Sequence, residues 1–308
     1  MRLVFAGTPE VASRTLDHLL ENSAHEIVAV VTRPDAPQGR SKRPVPSPVA
    51  ALAEARGIEV LKPVRPSDPE FVARLTDLAP DACPVIAYGA LIPQRVLDVP
   101  PSGWLNVHYS LLPRWRGAAP VQRALMAGDD VTGATVFRLV AAMDAGPVFA
   151  TERVDIAADE TAGELLERLT PVGARLLVDV LDGLAQGTAT AVDQPSDGVT
   201  VAPKLTVEEA RLDWSRGAVE LARQVRACNP SPMAWSTWAG ERFRLLKARP
   251  VPDDDALAPG ELLPDGRRPC VGTGSGSLEL VTVQPQGKRE MPAQAWVNGL
   301  RGESGAFS

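Results

Sequence analysis

The sequence predicts two domains, a doubly wound α/β domain followed by a smaller β-barrel or sandwich, and three observations carry that expectation. The chain has 308 residues, more than one hydrophobic core usually spans. Its first thirty or so residues read strand, helix, strand, the pattern of a βαβ unit and hence of a parallel sheet with right-handed crossovers. Beyond residue 203 the character changes to one helix and then short strand-like runs separated by turn residues.

The elements follow in order. RLVFAG (2–7) is an apolar run ending in glycine, a buried strand. Residues 9–21 place apolar side chains at helical spacing with proline in the first turn, where helices accept it. HEIVAVVT (25–32) is a second strand, and helices are expected near 47–56 and 68–78. Two more strands, CPVIAYG (83–89) and WLNVHYS (104–110), precede a helix at 119–127. Strands at 132–140 and 147–156 and a long amphipathic stretch at 160–186 complete the domain. Pro84 lacks a ladder donor, so it must lie at its strand's start or where its missing N–H would be exposed. QGTATAVDQPSDGVTVAP (186–203) is polar and aperiodic and suits a linker. A helix near 216–228 and strands near 233–238, 242–248, 270–274 and 277–285 follow. The expected division is therefore 1–186, a linker at 187–206, and 207–308.

Composition narrows the chemistry. With 32 basic and 38 acidic side chains the net charge is −6, which argues against bulk attraction to nucleic acid. The basic residues are mostly arginine in an Ala- and Pro-rich chain, so the arginine count alone implies no partner. Cys83, Cys228 and Cys270 are odd in number and form no C-x-x-C pair, and His18, His25 and His108 form no H-x-x-x-H pair. Neither a disulfide framework nor a metal site is expected, and reduced thiols fit a cytoplasmic protein. No apolar run approaches the roughly 20 residues of a membrane span. A strand beginning at Arg2 leaves no room for a leader peptide. The turn Gly7–Thr8–Pro9 lacks G-x-G-x-x-G and no Walker A sequence occurs, so no nucleotide site is expected.

The informative segment is NVHYSLLPRWRGAAP (106–120), with MDAGP (143–147) downstream. In an extended strand Asn106, His108 and Ser110 share one face, at the carboxyl end of a sheet strand where open α/β folds bind ligands. An amide, an imidazole and a carboxylate (Asp144), without metal or thiol, suit acyl transfer to an external nucleophile. Asn106 can donate to an oxyanion. His108 can donate to the same oxygen or move a proton, and Asp144 can orient the imidazole or accept a proton. The blander alternative is that the strand residues satisfy loop backbone and that Asp144 is a turn residue. A Ser110–His108–Asp144 triad is also conceivable, but no G-x-S-x-G elbow accompanies it.

Residues 106–120 closely resemble the H-x-S-L-L-P-x-x-x-G signature of the folate-dependent formyltransferases, and MDAGP resembles their aspartate loop. FAGTPEVAS at the start, AYGALIP (87–93) and the C-terminal barrel extend the likeness over essentially the whole chain. The resemblance implies a Rossmann-like formyltransferase domain followed by an OB-like barrel. It places the catalytic Asn, His and Asp on Asn106, His108 and Asp144, and folate contacts on Ser110, Leu111, Leu112 and Pro113. The loop at Ala87, Tyr88 and Gly89 is expected to hold the pterin. The co-substrate implied is 10-formyltetrahydrofolate, with no metal.

Two features bear on the acceptor. The segment 32–49 carries Arg33, Arg40, Lys42 and Arg43 against Asp35, a local +3 in a chain of −6. It is too long for a simple connector. It resembles the family's tRNA-contacting insertion, which implies that Arg40, Lys42 and Arg43 meet tRNA; the plainer reading is a solvated surface loop. The second feature is the added barrel, which the family places against tRNA. Residues 205–308 hold 13 basic and 13 acidic side chains, so any basic face there is local; Arg223, Arg226, Arg242, Arg244, Lys247 and Arg249 are its candidates. The resemblance implies formylation of the amine of methionyl initiator tRNA, and a monomer without a membrane partner is expected. Relatives acting on an amino sugar or a ribonucleotide amine, a formyl hydrolase, and a non-catalytic tRNA-binding protein are the rivals.

Overall fold

The computed structural model describes residues 1–37, 43–252, 257–263, 268–300 and 305–308. The chain divides into two compact units, each discontinuous in sequence. The first comprises 1–117, 131–155 and 166–201, and the second 118–130, 156–165 and 202–308. The sequence reading expected contiguous pieces. Instead 118–130 and 156–165 cluster with the second unit, and 187–201, read as linker, clusters with the first.

The chain runs through β1 (Arg2–Gly7), α1 (Glu10–Asn22), β2 (Glu26–Val31), a ribbon of β3 (Ala36–Pro37) and β4 (Pro44–Val45), α2 (Pro48–Ala55), β5 (Glu59–Leu61) and α3 (Pro69–Leu78). It continues through β6 (Cys83–Ile86), α4 (Gln94–Leu97), β7 (Trp104–His108), α5 (Pro120–Ala127), β8 (Val131–Arg138), β9 (Val148–Asp155) and α6 (Ala162–Ala185). The first unit's sheet has the order β5-β2-β1-β6-β7-β8-β9. Pairing is parallel from β5 to β7, as the βαβ pattern requires, but β8 and β9 join antiparallel. Strand patterning does not fix pairing direction, so the sequence could not show this reversal.

The strand order reverses between β1 and β6, and the crevice at such a reversal is where open α/β sheets hold ligands. Gly7, at the end of β1, leaves no space for a side chain: a Cβ there would lie 2.6 Å from the Ala12 Cβ. α1 can therefore pack closely, burying Ala12, Thr15, Leu16 and Leu19. The β1–β6 ladder consists of Ala6↔Val85 and Gly7↔Ile86 plus an isolated bridge at Leu3↔Ala82. The gap falls opposite Cys83 and Pro84, the second residue of β6, where proline has no N–H to give. β6 ends at Ile86, short of the expected 89, because Ala87 (φ +47°) and Gly89 (φ +86°) turn the chain out of the sheet. Val107 on β7 and Tyr109 just after it receive α6 at Gly173, whose Cβ would sit 2.6 Å from the Val107 side chain.

The second unit adds α7 (Ala218–Cys228), β10 (Ala234–Trp238), β11 (Glu241–Val251), β12 (Leu262–Leu263), β13 (Cys270–Gly272), β14 (Ser277–Pro285), β15 (Met291–Pro292) and α8 (Ala293–Gly299). The sheet order is β10-β11-β14-β13-β12, with β15 on β14. This is the smaller antiparallel β domain expected from sequence. Its two edges meet the same short segment: Trp238 bridges Phe307, and Glu261 bridges Ala306. Residues 306–308 thereby occupy ladder groups that an open sheet would leave unpaired. Phe307 is 4% exposed and touches four aromatic rings, Trp214, Trp238, Phe243 and Trp296, at centroid distances of 4.8 to 5.9 Å. Truncating it removes both apolar area and ring contacts. Phe307→Ala is expected to destabilise the second unit by about 3–5 kcal/mol, read as a lowered thermal midpoint that Phe307→Leu largely restores.

Candidate active site

β7 sets the geometry. Asn106 and His108 are two residues apart on a strand held between β6 and β8, so both project from the same face. Among the described residues the Asn106 amide has no hydrogen-bond partner. His108 is 5% exposed and meets the edge of Phe137, ring centroids 6.3 Å apart. Its Nε2 lies 2.7 Å from the Trp115 carbonyl oxygen. A carbonyl only accepts, so Nε2 carries the proton and the neutral ring's lone pair is on Nδ1. Nδ1 is 3.8 Å from Asp144 Oδ2, too far for a hydrogen bond but close enough for strong electrostatic interaction. Burial holds the imidazole below its ordinary pKa; the Asp144 charge and the Trp115 carbonyl pull it only partly back. Of the two histidine roles open from sequence, a neutral ring so fixed offers a proton acceptor; only the imidazolium has a second N–H to donate.

Asp144 has φ +48°, the left-handed region that L-residues seldom adopt. Its Oδ2 accepts the Gly117 N–H at 2.8 Å, joining the aspartate loop to the turn that follows β7. In that turn Ser110 is fully buried; its hydroxyl donates to Arg114 O (2.7 Å) and its carbonyl accepts from Thr135 Oγ1 (2.7 Å). Ser110 is thus committed to its own loop, and no serine–histidine pair forms among the described residues. The blander reading of Ser110 holds and the triad does not. Leu111, Leu112 and Pro113 are half-buried, and Ala87 and Gly89 are exposed. Tyr88 is buried with its hydroxyl beside Arg33, while its carbonyl accepts from Thr8 Oγ1 at 2.8 Å across the β1–β6 crevice. Burial raises the phenol pKa, and the Arg33 charge lowers it in part.

Three residues at this site escaped the sequence reading. Gln194 Nε2 donates to Asp144 O (2.9 Å) and Gly146 O (2.8 Å), while its Oε1 accepts from Arg116 Nη2 (2.7 Å) and Nε (3.1 Å). Thr200 Oγ1 accepts the Trp115 N–H at 2.8 Å. Arg116 lies in the quoted signature, but its partner is 78 residues away, and nothing periodic marks Gln194 or Thr200.

Arg40 and Lys42 lie outside the described residues. Arg43 is exposed beside the β3–β4 ribbon, whose base is held by Lys62–Asp35 (2.8 Å) and a buried Thr32–Ser47 hydroxyl pair (2.7 Å). In the second unit Arg242 is half-buried against Trp235 at 4.1 Å, and Arg244 is exposed and donates to Gln284. Arg226 instead donates to the Ala157 and Glu160 carbonyls and Arg249 pairs with Asp159, so these two carry structural contacts. His18 bonds Asn22 on the α1 surface, and His25 faces Asp182. Among the described residues no three His, Cys, Asp or Glu could hold a metal, the three cysteines form no disulfide, and no helix is long and apolar enough to cross a membrane.

Comparison with known proteins gives a consistent result. Residues 1–181 match the formyl transferase family and residues 204–301 its C-terminal domain. The methionyl-tRNA formyltransferase of Streptomyces coelicolor is 55% identical over 301 residues, covering 98% of this chain and 97% of that protein. Among solved structures, HypX from Aquifex aeolicus in complex with tetrahydrofolic acid superimposes with a TM-score of 0.68 at 21% identity, over 100% of this chain and 51% of that one. The methionyl-tRNA formyltransferase from Clostridium thermocellum aligns with a TM-score of 0.56 at 13% identity, over 81% and 93%. These two structures show a shared fold, and the long alignment at 55% identity shows more: the chain belongs to the formyl transferase family, among the methionyl-tRNA formyltransferases.

Proposed function

We propose that the chain transfers the formyl group of 10-formyltetrahydrofolate to the α-amine of methionyl initiator tRNA, acting as a monomer in the cytoplasm and producing N-formylmethionyl-tRNA. The observation that carries this reading is the trio on one sheet edge: an unpartnered Asn106 amide, His108 fixed as its Nε2–H tautomer, and Asp144 beside Nδ1. The relatives' stated activity and the tetrahydrofolate bound by HypX support it.

The residues present fit a formylfolate. Tyr88 offers a buried hydroxyl, and backbone N–H and C=O groups of the 87–92 loop can match the donor and acceptor edge of a pterin. Leu111, Leu112 and Pro113 supply apolar surface for its aromatic portion, while Ser110 closes the turn that presents them. When bound, the co-substrate supplies an electrophilic formyl carbon. Asn106 then donates to the formyl oxygen as negative charge builds there, a contact whose removal typically costs about 10²–10³ in rate. His108 Nδ1 takes the proton that the attacking amine loses and returns one to the departing folate nitrogen, so the proton balance closes. Asp144 stabilises the imidazolium between those steps. Arg40, Lys42, Arg43 and exposed basic side chains of the second unit such as Arg244 hold tRNA phosphates, so binding weakens with salt.

A formylation assay with charged initiator tRNA, charged elongator methionyl-tRNA and free methionine tests the acceptor; formylation of free methionine as readily as of initiator tRNA would sink it. Asn106→Ala is expected to lower kcat about 10²–10³-fold while tRNA and folate binding persist. Arg40→Ala should lower kcat/KM for charged tRNA and leave folate binding intact. The proton role predicts a titration. The His108 ring nitrogens, followed by NMR, should show the Nε2–H tautomer and a midpoint below the ordinary value of about 6.5. Asp144→Asn should move that midpoint further down, because it removes the charge that favours the imidazolium.

A further inference from the structure

We propose that Gln194 and Thr200 are positioning residues for the transfer, and that the segment 190–201 is a clamp that sets Asp144 and Trp115 around His108. The inference rests on the catalytic reading above and extends it to a stretch of chain that sequence presents as a passive connector.

Both partners of His108 stand on backbone that does not hold itself. Asp144 has φ +48° and Trp115 φ +64°, each a side-chain-bearing residue in the left-handed region. Such conformations persist only where surrounding contacts over-determine them. Besides the Gly117 N–H bond to Asp144 and the bonds of Ser110 and Arg114 within the turn, the contacts come from one distant segment. Gln194 uses every hydrogen-bonding valence of its carboxamide: both N–H groups go to the Asp144 and Gly146 carbonyls, and both oxygen lone pairs take Arg116. Reversing the amide would set its oxygen against two carbonyls and its N–H groups against a guanidinium, so only this orientation satisfies the site. Thr200 grips the other loop, accepting Trp115 N–H on its hydroxyl and Arg116 N–H on its carbonyl at 2.9 Å. Trp115 O is the group that fixes the His108 tautomer.

The chain path agrees. Val192 exchanges backbone hydrogen bonds with Val148 at 2.8 Å, just past the aspartate loop, and Val201 bridges Arg116. The clamp is thus anchored beside each loop it holds. Room for slack is small: a Cβ on Gly146 would lie 1.8 Å from Arg138 O, so the aspartate loop is pressed onto β8 and its position follows from the bonds above it.

Three variants separate positioning from plain stability. Gln194→Glu keeps an acceptor for Arg116 but loses both donors to the aspartate loop. Gln194→Leu removes all four bonds at similar volume, and Thr200→Val removes the acceptor for Trp115 N–H. Misplacement of about 1 Å at a reacting group costs on the order of 10²-fold in rate. The expected result is a kcat lowered about 10- to 100-fold for Gln194→Glu and Gln194→Leu, less for Thr200→Val. KM for formylfolate and tRNA should stay within about twofold, and the thermal midpoint should match the wild type. In Gln194→Leu the His108 midpoint should also fall, as Asp144 leaves Nδ1. Unchanged kcat in all three variants would overturn the proposal. So would a kcat that falls only together with the thermal midpoint, the mark of a structural role. Wild-type enzyme assayed alongside keeps the two claims apart: if it fails to formylate charged tRNA, the catalytic reading fails, whereas active wild type with equally active variants sinks only the clamp.

Discussion

The hydrogen bond from His108 Nε2–H to the Trp115 carbonyl, buried at 2.7 Å, is the constraint on which the site's arrangement depends. It settles which ring nitrogen carries the proton and turns the other toward Asp144. A short bond in a dry setting cannot be exchanged for water without cost. The Trp115 peptide must therefore be presented at one angle, which the strained turn after β7 provides. The same burial disfavours the charged ring. The ring rests neutral yet sits beside a carboxylate that can stabilise its protonated form, an arrangement suited to a group that takes up a proton and gives it back.

The fold supplies that geometry through its strand order. The reversal between β1 and β6 opens a crevice, and the ends of β1, β6 and β7 border it from adjacent positions in one sheet. Thr8 tied to Tyr88 shows how narrow it is at its floor. β8 and β9, added antiparallel, buttress β7 on its other side, and Asp144 lies in the connection between them. A parallel continuation would have required a helical crossover there instead of the short loop that returns Asp144 to His108.

Much of this was legible. The βαβ opening, the amphipathic helices and the change of character near residue 203 follow from apolar periodicity, which records burial directly. Asn106 and His108 stood out because a polar strand face at a sheet's carboxyl end is a poor choice for packing, whereas Asp144 was marked only by the resemblance of MDAGP to the family's aspartate loop. Ser110 shared that face, and sequence could not decide its hydroxyl's partner, since a two-residue period says where a side chain points but not which carbonyl it meets. Pro84 was expected at its strand's start or where its missing N–H would be exposed; it is the second residue of β6, and the ladder gap there was implicit in its chemistry. The close of the second unit's sheet by residues 306–308 was not, because three residues carry no pattern.

The sequence alone determined the fold class, the order of nearly every element and the polar strand face of Asn106 and His108, all properties expressed over a few neighbouring residues. Only the tertiary structure decided the tautomer of His108, the antiparallel turn of the sheet, the interleaving of the two units and the role of 187–201 as part of the first. The tautomer turns on a carbonyl seven residues along the chain, presented by a turn that Thr200 grips, and the placement of 187–201 rests on bonds between residues far apart in sequence, 78 for Arg116 and Gln194 and 85 for Trp115 and Thr200. A polar, aperiodic segment looks the same on paper whether it swings free or holds a catalytic loop in place; the difference lies in which carbonyls stand opposite it once the chain has folded.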